Sequence, residues 1–451
     1  MEIFSLEFWL FTGAVFALYW LMPKRISKYI MVFAGVLVCG AFGLEVLTVA
    51  FGCAIFTYFW GIGISAVDDG KKKILLWLGI SALVTVIVVS RLELIPSIGV
   101  SFYVFRYISY LVDVKKTSNA ERNIAEYMFF ATFFPVFVAG PVVRYSQLEK
   151  QINRARFSYD SACRSLYQIA FGIFQKAYMA DKLSYYVDRI YDGYSHYNGI
   201  TIAVGAALYS FQIYFDFAGY SNIVIGIAGL FGVRIDNNFE QPYFSLSIKE
   251  FWRRWHISLS SWLKDYVYIP LGGKNRKYVN ILNTFFISGL WHGKGMGFIV
   301  WGGLHAVYQV IGDVFGSVKE ALLKNIKKYF GKNVEKAFEM VFTFGLVTFA
   351  WFFFRVSDMS HASVMLGYAM RNVIRGDYGL SIVEICGMCP GIIVIGIIDY
   401  LYYSQVDLYE WIKRQRVVIK CCINTCMIVF LAILFVMKVG GDYTNFIYAK
   451  F

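Results

Sequence analysis

Apolar runs close to the length of a bilayer crossing recur from one end of the chain to the other. They fall at about 6–22, 29–45, 47–66, 74–90, 97–112, 125–141 and 161–180, then at 199–218, 220–233, 279–291, 296–315, 337–354, 381–403 and 418–438. The pattern predicts an all-α polytopic membrane protein with about 11 transmembrane helices, since a crossing takes ~20 mainly apolar residues and several of these runs are shorter. The short runs are expected to be re-entrant or interfacial helices. Backbone that bends at membrane depth is tolerated only inside protein or beside a wet cavity. Several such pieces therefore predict an enclosed chamber rather than a simple bundle. No linker, repeat or low-complexity tract divides the sequence, so one domain over 1–451 is expected.

Composition supports the membrane reading. Of 451 residues, 58% are hydrophobic and only 16% charged, and mean hydropathy is +0.55. A soluble chain is about 45–50% apolar and about 25% charged. An ordinary cytosolic enzyme, a disordered regulator and a small secreted scaffold are excluded. The 43 Lys and Arg against 30 Asp and Glu would suggest nucleic acid in a soluble protein. In a membrane protein such residues gather in the short cytoplasmic loops, so membrane lipid is the expected partner and nucleic acid is not. On that rule Pro23-Lys24-Arg25-Ile26-Ser27-Lys28, Asp68 to Lys73, Lys115 to Arg122, Lys319 to Lys336 and Lys413 to Arg416 are cytoplasmic. The N-terminus is then extracytoplasmic, and so is the tail over about 440–451. No cleavable signal peptide is expected: the first apolar run lacks a basic start. The eight cysteines mostly lie in apolar stretches. They suggest no disulfide framework, and Cys386 and Cys389 alone suggest no metal site.

The informative stretch is a polar island over about 239–305. Ser247-Ile248-Lys249-Glu250 reads as a capping box. It opens a helix expected to run to about Asp265. That helix has an aromatic stripe (Trp252, Trp255, Leu259, Trp262, Tyr266) and a polar stripe (Lys249, Arg253, His256, Ser260, Lys264). Each charge at the bilayer centre costs at least about 2.5 kcal/mol, so the helix either lies at an interface as an anchor or lines a water-filled chamber. His256 favours the chamber, because histidines within membranes are usually functional. A glycine turn follows at Tyr268-Ile269-Pro270-Leu271-Gly272-Gly273. The apolar run from Asn280 to Leu290 is then too short to cross and ends in Trp291-His292-Gly293. A helix stopping there inside the protein would point the His292 imidazole into a cavity. The helix C-terminus favours imidazolium, so His292 could hold a proton taken from a substrate; otherwise it donates to a neighbouring carbonyl. His305 is expected to satisfy a helix contact, and His196 and His361 lie in loops. Asp216 and Asn222, polar in an apolar setting, are either cavity-lining or structural.

Phe251-Trp252-Arg253-Arg254-Trp255-His256-Ile257-Ser258-Leu259-Ser260, Tyr268 to Gly273, and Ser288-Gly289-Leu290-Trp291-His292-Gly293 resemble the bacterial membrane-bound O-acyltransferases. Pro96 to Tyr103, Phe134 to Tyr145 and Gln212 to Asn222 extend the resemblance over the whole chain. The branch it is most similar to is that of the alginate O-acetyltransferase membrane subunit, because Ile269 to Gly273 is as a rule missing from the related D-alanyl transfer proteins of teichoic acid export. The resemblance implies helices around a central funnel and tunnel, with catalytic histidines at His292 and His256. It implies transfer of an acyl group, acetyl foremost, from a cytosolic thioester such as acetyl-coenzyme A across the cell membrane. The destination is O-acetylation of a cell-surface polysaccharide, with an extracytoplasmic SGNH-type acyltransferase and a polysaccharide synthesis or export complex as partners; no metal is expected. Arg253, Trp255, Ser260, Asp216, Asn222 and Trp291 are candidates for lining the funnel. Asn445 to Phe451 resembles the family's aromatic C-terminal motif, which makes Tyr448 a candidate acyl relay; Ala449 and Lys450 depart from that motif.

Two rival readings follow from the sequence. D-alanyl transfer to teichoic acid uses similar motifs. A transporter or flippase for a lipid-linked saccharide would share the hydrophobicity and the aromatic polar island, but the chain lacks the internal repeat many transporters show. Thioester-dependent labelling separates enzyme from flippase.

Overall fold

The computed structural model describes residues 3–152 and 154–438. The relay candidate Tyr448 and the whole tail from Gly440 lie outside the described residues. The chain forms two compact units: residues up to Ile169 together with Ser221–Asn237, and Ala170–Tyr220 together with Asn238 onward. Helices make up both, and no strand occurs among the described residues.

The first unit opens with α1 (Leu6–Leu21), whose cap Ser5 accepts from the Phe8 amide at 3.2 Å. The helix stops before Pro23, since a residue preceding proline is pushed into extended backbone. Next come α2 (Lys24–Ala41), α3 (Leu44–Ser65), α4 (Asp69–Arg91), α5 (Val100–Thr117), α6 (Ile124–Thr132), α7 (Tyr145–Ile152) and α8 (Tyr159–Ile173). α5 is buried around most of its circumference, the mark of a central helix. The run expected at 125–141 breaks after Thr132, where Phe133 is followed by a short 3-10 turn. A break at membrane depth leaves backbone carbonyls that need donors. The buried Arg106 guanidinium donates to the Phe130 carbonyl, and the Tyr107 hydroxyl donates to that of Ala131 at 3.3 Å.

After α8 the chain adds a π-helical segment, Phe174–Ala180, then α9 (Asp181–Asp192) and α10 (Gly199–Leu230). The runs expected separately at 199–218 and 220–233 are thus largely one helix of 32 residues. The second unit continues with α11 (Ile248–Arg254), α12 (Ile257–Leu263), α13 (Lys277–His292), α14 (Met296–Val314), α15 (Gly316–Phe330), α16 (Lys332–Arg355), α17 (Met359–Arg371), α18 (Ile382–Tyr403), α19 (Leu408–Lys413) and α20 (Val417–Lys438). α13 and α14 pack at backbone contact: a Cβ on Gly289 would lie 2.6 Å from the Phe298 carbonyl oxygen, and one on Gly302 would strike the carbonyl of Phe285. Small residues at such a crossing let membrane helices approach closely.

Among the described residues six helices are long and apolar enough to cross a membrane: α3, α4, α10, α16, and the segments Val383–Tyr403 and Val417–Val436. A seventh crossing results if α14 and α15, bent by 74°, are taken as one broken span. Shorter apolar helices, α1 and the segment 124–136, are not in that number.

Candidate active site

The helix expected from Ser247 to Asp265 is two helices. Ser247 caps α11 by accepting from the Glu250 amide at 3.2 Å, and Glu250 accepts from the Leu246 amide at 2.9 Å. α11 ends at Arg254, Trp255 is extended, and His256 takes the left-handed conformation (φ 42°, ψ 54°) before α12 begins. A non-glycine residue there is strained and needs its surroundings to hold it.

Asn238 provides that hold. Its backbone carbonyl accepts from the Ile257 amide at 2.9 Å. Its side-chain oxygen accepts from the Ser258 amide (3.1 Å), the Ser258 hydroxyl (2.8 Å) and His256 Nδ1 (3.2 Å). The Ser258 amide can only donate, which fixes the Asn238 oxygen as acceptor and puts the His256 proton on Nδ1. Nε2 then carries the lone pair. His256 is buried, its ring edge-on to Phe217 with centroids 4.6 Å apart. Burial pushes its pKa well below the ordinary histidine value, and the neighbouring His292 adds to the shift. The imidazole is therefore neutral.

His292 is the last residue of α13 and is also buried. Its Nδ1 donates to the Ser288 carbonyl at 2.6 Å, so here too Nε2 is the basic nitrogen. The ring packs edge-on against Trp291 and Trp301, each with centroids 4.7 Å away, and against Phe354 at 5.2 Å. Trp291 also lies 6.3 Å from His256. The structure thus brings the two sequence-predicted histidines to one indole. Around His292 the buried Ser288 hydroxyl, Trp301 Nε1 and His305 Nε2 have no hydrogen-bond partner among the described residues. Buried polar atoms in that state are uncommon in native proteins.

The other candidates are placed as follows. Trp255 is packed between Phe239, Phe251 and Trp351, with centroids at 5.0, 5.4 and 4.9 Å, as a core side chain. The Ser260 hydroxyl donates back to the Trp255 carbonyl at 3.2 Å, and Arg253 is exposed. Asp216 is buried in an ion pair with Lys176 at 2.6 Å, and Lys176 also meets Asp181 at 3.0 Å. Asn222, in the first unit, accepts from Gln168 Nε2 at 3.3 Å. His305 accepts from Trp252 Nε1 at 3.2 Å, and His196 and His361 are exposed. Among the described residues no three His, Cys, Asp or Glu side chains cluster as metal ligands would. Asn238 and Lys176 are the residues that sequence reading missed. A polar stretch from Arg234 to Gln241 was visible, but nothing local ties Asn238 to a histidine 18 positions on.

The sequence model of the membrane-bound O-acyltransferase family matches residues 8–355. The chain is 32% identical over 436 residues to the "Probable alginate O-acetylase AlgI" of Pseudomonas putida, covering 89% of this chain and 86% of that protein. It is 30% identical over 411 residues to the "Peptidoglycan O-acetyltransferase" of Helicobacter pylori, covering 80% and 75%. To the "Teichoic acid D-alanyltransferase" of Bacillus subtilis it is 27% identical over 284 residues, covering 60% and 71%. Motif order, membrane-capable helices and similarity along most of its length agree: the chain belongs to the membrane-bound O-acyltransferase family and is a multi-pass membrane acyltransferase.

Proposed function

We propose that the protein takes an acetyl group from a cytosolic thioester, acetyl-coenzyme A, and passes it outward across the inner membrane for O-acetylation of a cell-surface polysaccharide. The observation that carries this reading is the pair of buried imidazoles with Nδ1 tied to protein oxygen and Nε2 left as the basic nitrogen. His292 Nε2 takes the proton of the acceptor hydroxyl as its oxygen attacks the thioester carbonyl. The C–O bond forms, the C–S bond breaks, and the proton passes to the departing thiolate. General base catalysis contributes typically 10²–10⁴-fold. A neutral His256 with its proton committed to Asn238 is an acceptor at Nε2. It suits orienting the acceptor molecule through a donor other than the attacking hydroxyl, whose one proton goes to His292, and cannot hold the oxyanion. Trp301 Nε1, a buried N–H beside His292, suits the oxyanion.

The greater identity and coverage of the O-acetyl relatives favour acetyl over D-alanyl transfer. In this reading residues 1–451 form one membrane domain around a funnel and tunnel, with about 11 crossings once short helices are counted. Arg253 and Trp291 face the funnel, and both termini are extracytoplasmic. An extracytoplasmic SGNH-type acyltransferase takes the acyl group from Tyr448. A phenol with pKa near 10 is easier to deprotonate than a sugar hydroxyl, and its ester stays activated. Tyr448→Phe is expected to remove an acyl adduct that mass spectrometry finds on the wild-type C-terminal peptide; an adduct that persists refutes the relay.

Deleting the protein is expected to strip ester-linked acetyl groups from the surface polymers, with restoration on complementation. Unchanged acetyl content, or loss of D-alanyl esters instead, would sink the acetyl reading. Asn238→Ala removes the acceptor that orients His256, and a lost buried hydrogen bond costs about 1–3 kcal/mol. Turnover is expected to fall between about fivefold and 150-fold, on the scale of tenfold per 1.4 kcal/mol. Asn238→Asp, which keeps the acceptor, is expected to retain more activity than Asn238→Ala.

A further inference from the structure

The first unit holds a cleft of about 530 Å³ beside the turn between α1 and α2. Its size is that of a small-ligand pocket, ~300–1,000 Å³. Tyr19, Trp20 and Ala155 line it together with Lys24, Arg25 and Lys28. The aromatic part is fixed: Trp20 Nε1 donates to the Leu230 carbonyl at 3.1 Å, and its ring sits edge-on to Phe157 at 5.5 Å. The Ser27 hydroxyl, on the same wall, donates to the Tyr19 carbonyl at 3.1 Å.

The charges are not balanced in the same way. Lys28 pairs with Glu126 at 3.3 Å. Lys24 and Arg25 have no ion pair or hydrogen bond from their side chains among the described residues. They stand in the first turn of α2, which contains no acidic residue, and Pro23 offers no side-chain cap. The N-terminal end of a helix is itself positive, so cations and dipole repel at this point unless an anion joins them. Leu21 and Ile26, next in sequence to the lining residues Met22 and Arg25, and Phe33 further along α2 are exposed, a surface fit for hydrocarbon but not for a free anion in water.

We propose that this cleft binds the headgroup of an acidic phospholipid. Lys24 and Arg25 meet the phosphate, Tyr19 and Trp20 lie under the glycerol region, and the acyl chains run along Leu21, Ile26 and Phe33. Each Lys or Arg near an anionic lipid surface is worth about 1 kcal/mol, so losing both is expected to weaken binding about 25-fold. The test is native mass spectrometry of the full chain in detergent with added phosphatidylglycerol or phosphatidylcholine. The wild type is expected to retain phosphatidylglycerol selectively, and the Lys24→Gln, Arg25→Gln double variant to lose that selectivity. Lys71→Gln with Lys73→Gln, which removes two exposed cations of another loop, is expected to bind as the wild type does. Ala155→Trp fills the cleft without removing a charge and carries the same expectation of loss, so a poorly folding charge variant leaves the question decidable. Undiminished binding by both cleft variants overturns the proposal, and so does equal loss in the Lys71, Lys73 variant. Displacement of the lipid by millimolar inorganic phosphate would assign the cleft to a free anion instead.

Discussion

Replacing His292 by Asn is expected to lower acyl transfer by 10²–10⁴-fold, the usual worth of a general base, while the protein accumulates and unfolds like the wild type. The Asn amide can take over the donation that Nδ1 makes to the Ser288 carbonyl, and it fits among Trp291, Trp301 and Phe354. It cannot supply the basic Nε2. His292→Ala is expected to lose as much activity, and in addition some stability, because it opens a void between those rings. The measurement is ester-linked acetyl on the surface polymer, normalised to the amount of membrane-inserted protein. His256→Ala should cost less, since the reading gives that ring an orienting role. Wild-type acetylation by His292→Asn would remove His292 from the chemistry and with it the proposed proton route.

The place of His292 was legible because it is a local matter. An apolar run that stops at a histidine and a glycine gives a helix that ends there, and α13 does. His256 was legible as a residue but not in its setting. Helical spacing carries the pattern from Trp252 through Trp262 without a fault, and the break between α11 and α12 comes from Asn238, 18 positions upstream, whose carbonyl and amide oxygen claim the backbone and side chains of His256 to Ser258. Asp216 shows the same limit. Its isolation among apolar neighbours was visible, but Lys176, the cation that neutralises it, lies 40 positions earlier in a segment that reads as another apolar helix. The split expected between 199–218 and 220–233 is absent for a different reason. Gly219-Tyr220 looks like a place for a helix to stop, yet a Cβ on Gly219 would lie 2.7 Å from the Gly172 carbonyl oxygen and the Lys176 amide. The glycine is there for close packing, and α10 continues through it.

That packing places a large electrostatic demand on one ammonium group. Lys176 is buried, with Asp216 at 2.6 Å and Asp181 at 3.0 Å. Lys176→Met keeps the length of the side chain and takes from both carboxylates the ammonium they share. Breaking a buried pair by removing one partner costs about 3–5 kcal/mol, so the variant is expected to reach the membrane poorly and to unfold at a clearly lower temperature in detergent. Lys176→Met with Asp216→Asn removes the charge of the more buried of the two carboxylates and is expected to recover most of that stability. A cycle through both single variants and the double measures the coupling. The recovery has a second reading at the site: Phe217, next to Asp216 on α10, packs 4.6 Å from the His256 ring, so the double variant should regain acyl transfer together with its fold. A single variant as stable as the wild type, or a double variant no better than Lys176→Met alone, would mean that the carboxylates are satisfied without the lysine, and that His256 is held by Asn238 and its aromatic neighbours alone.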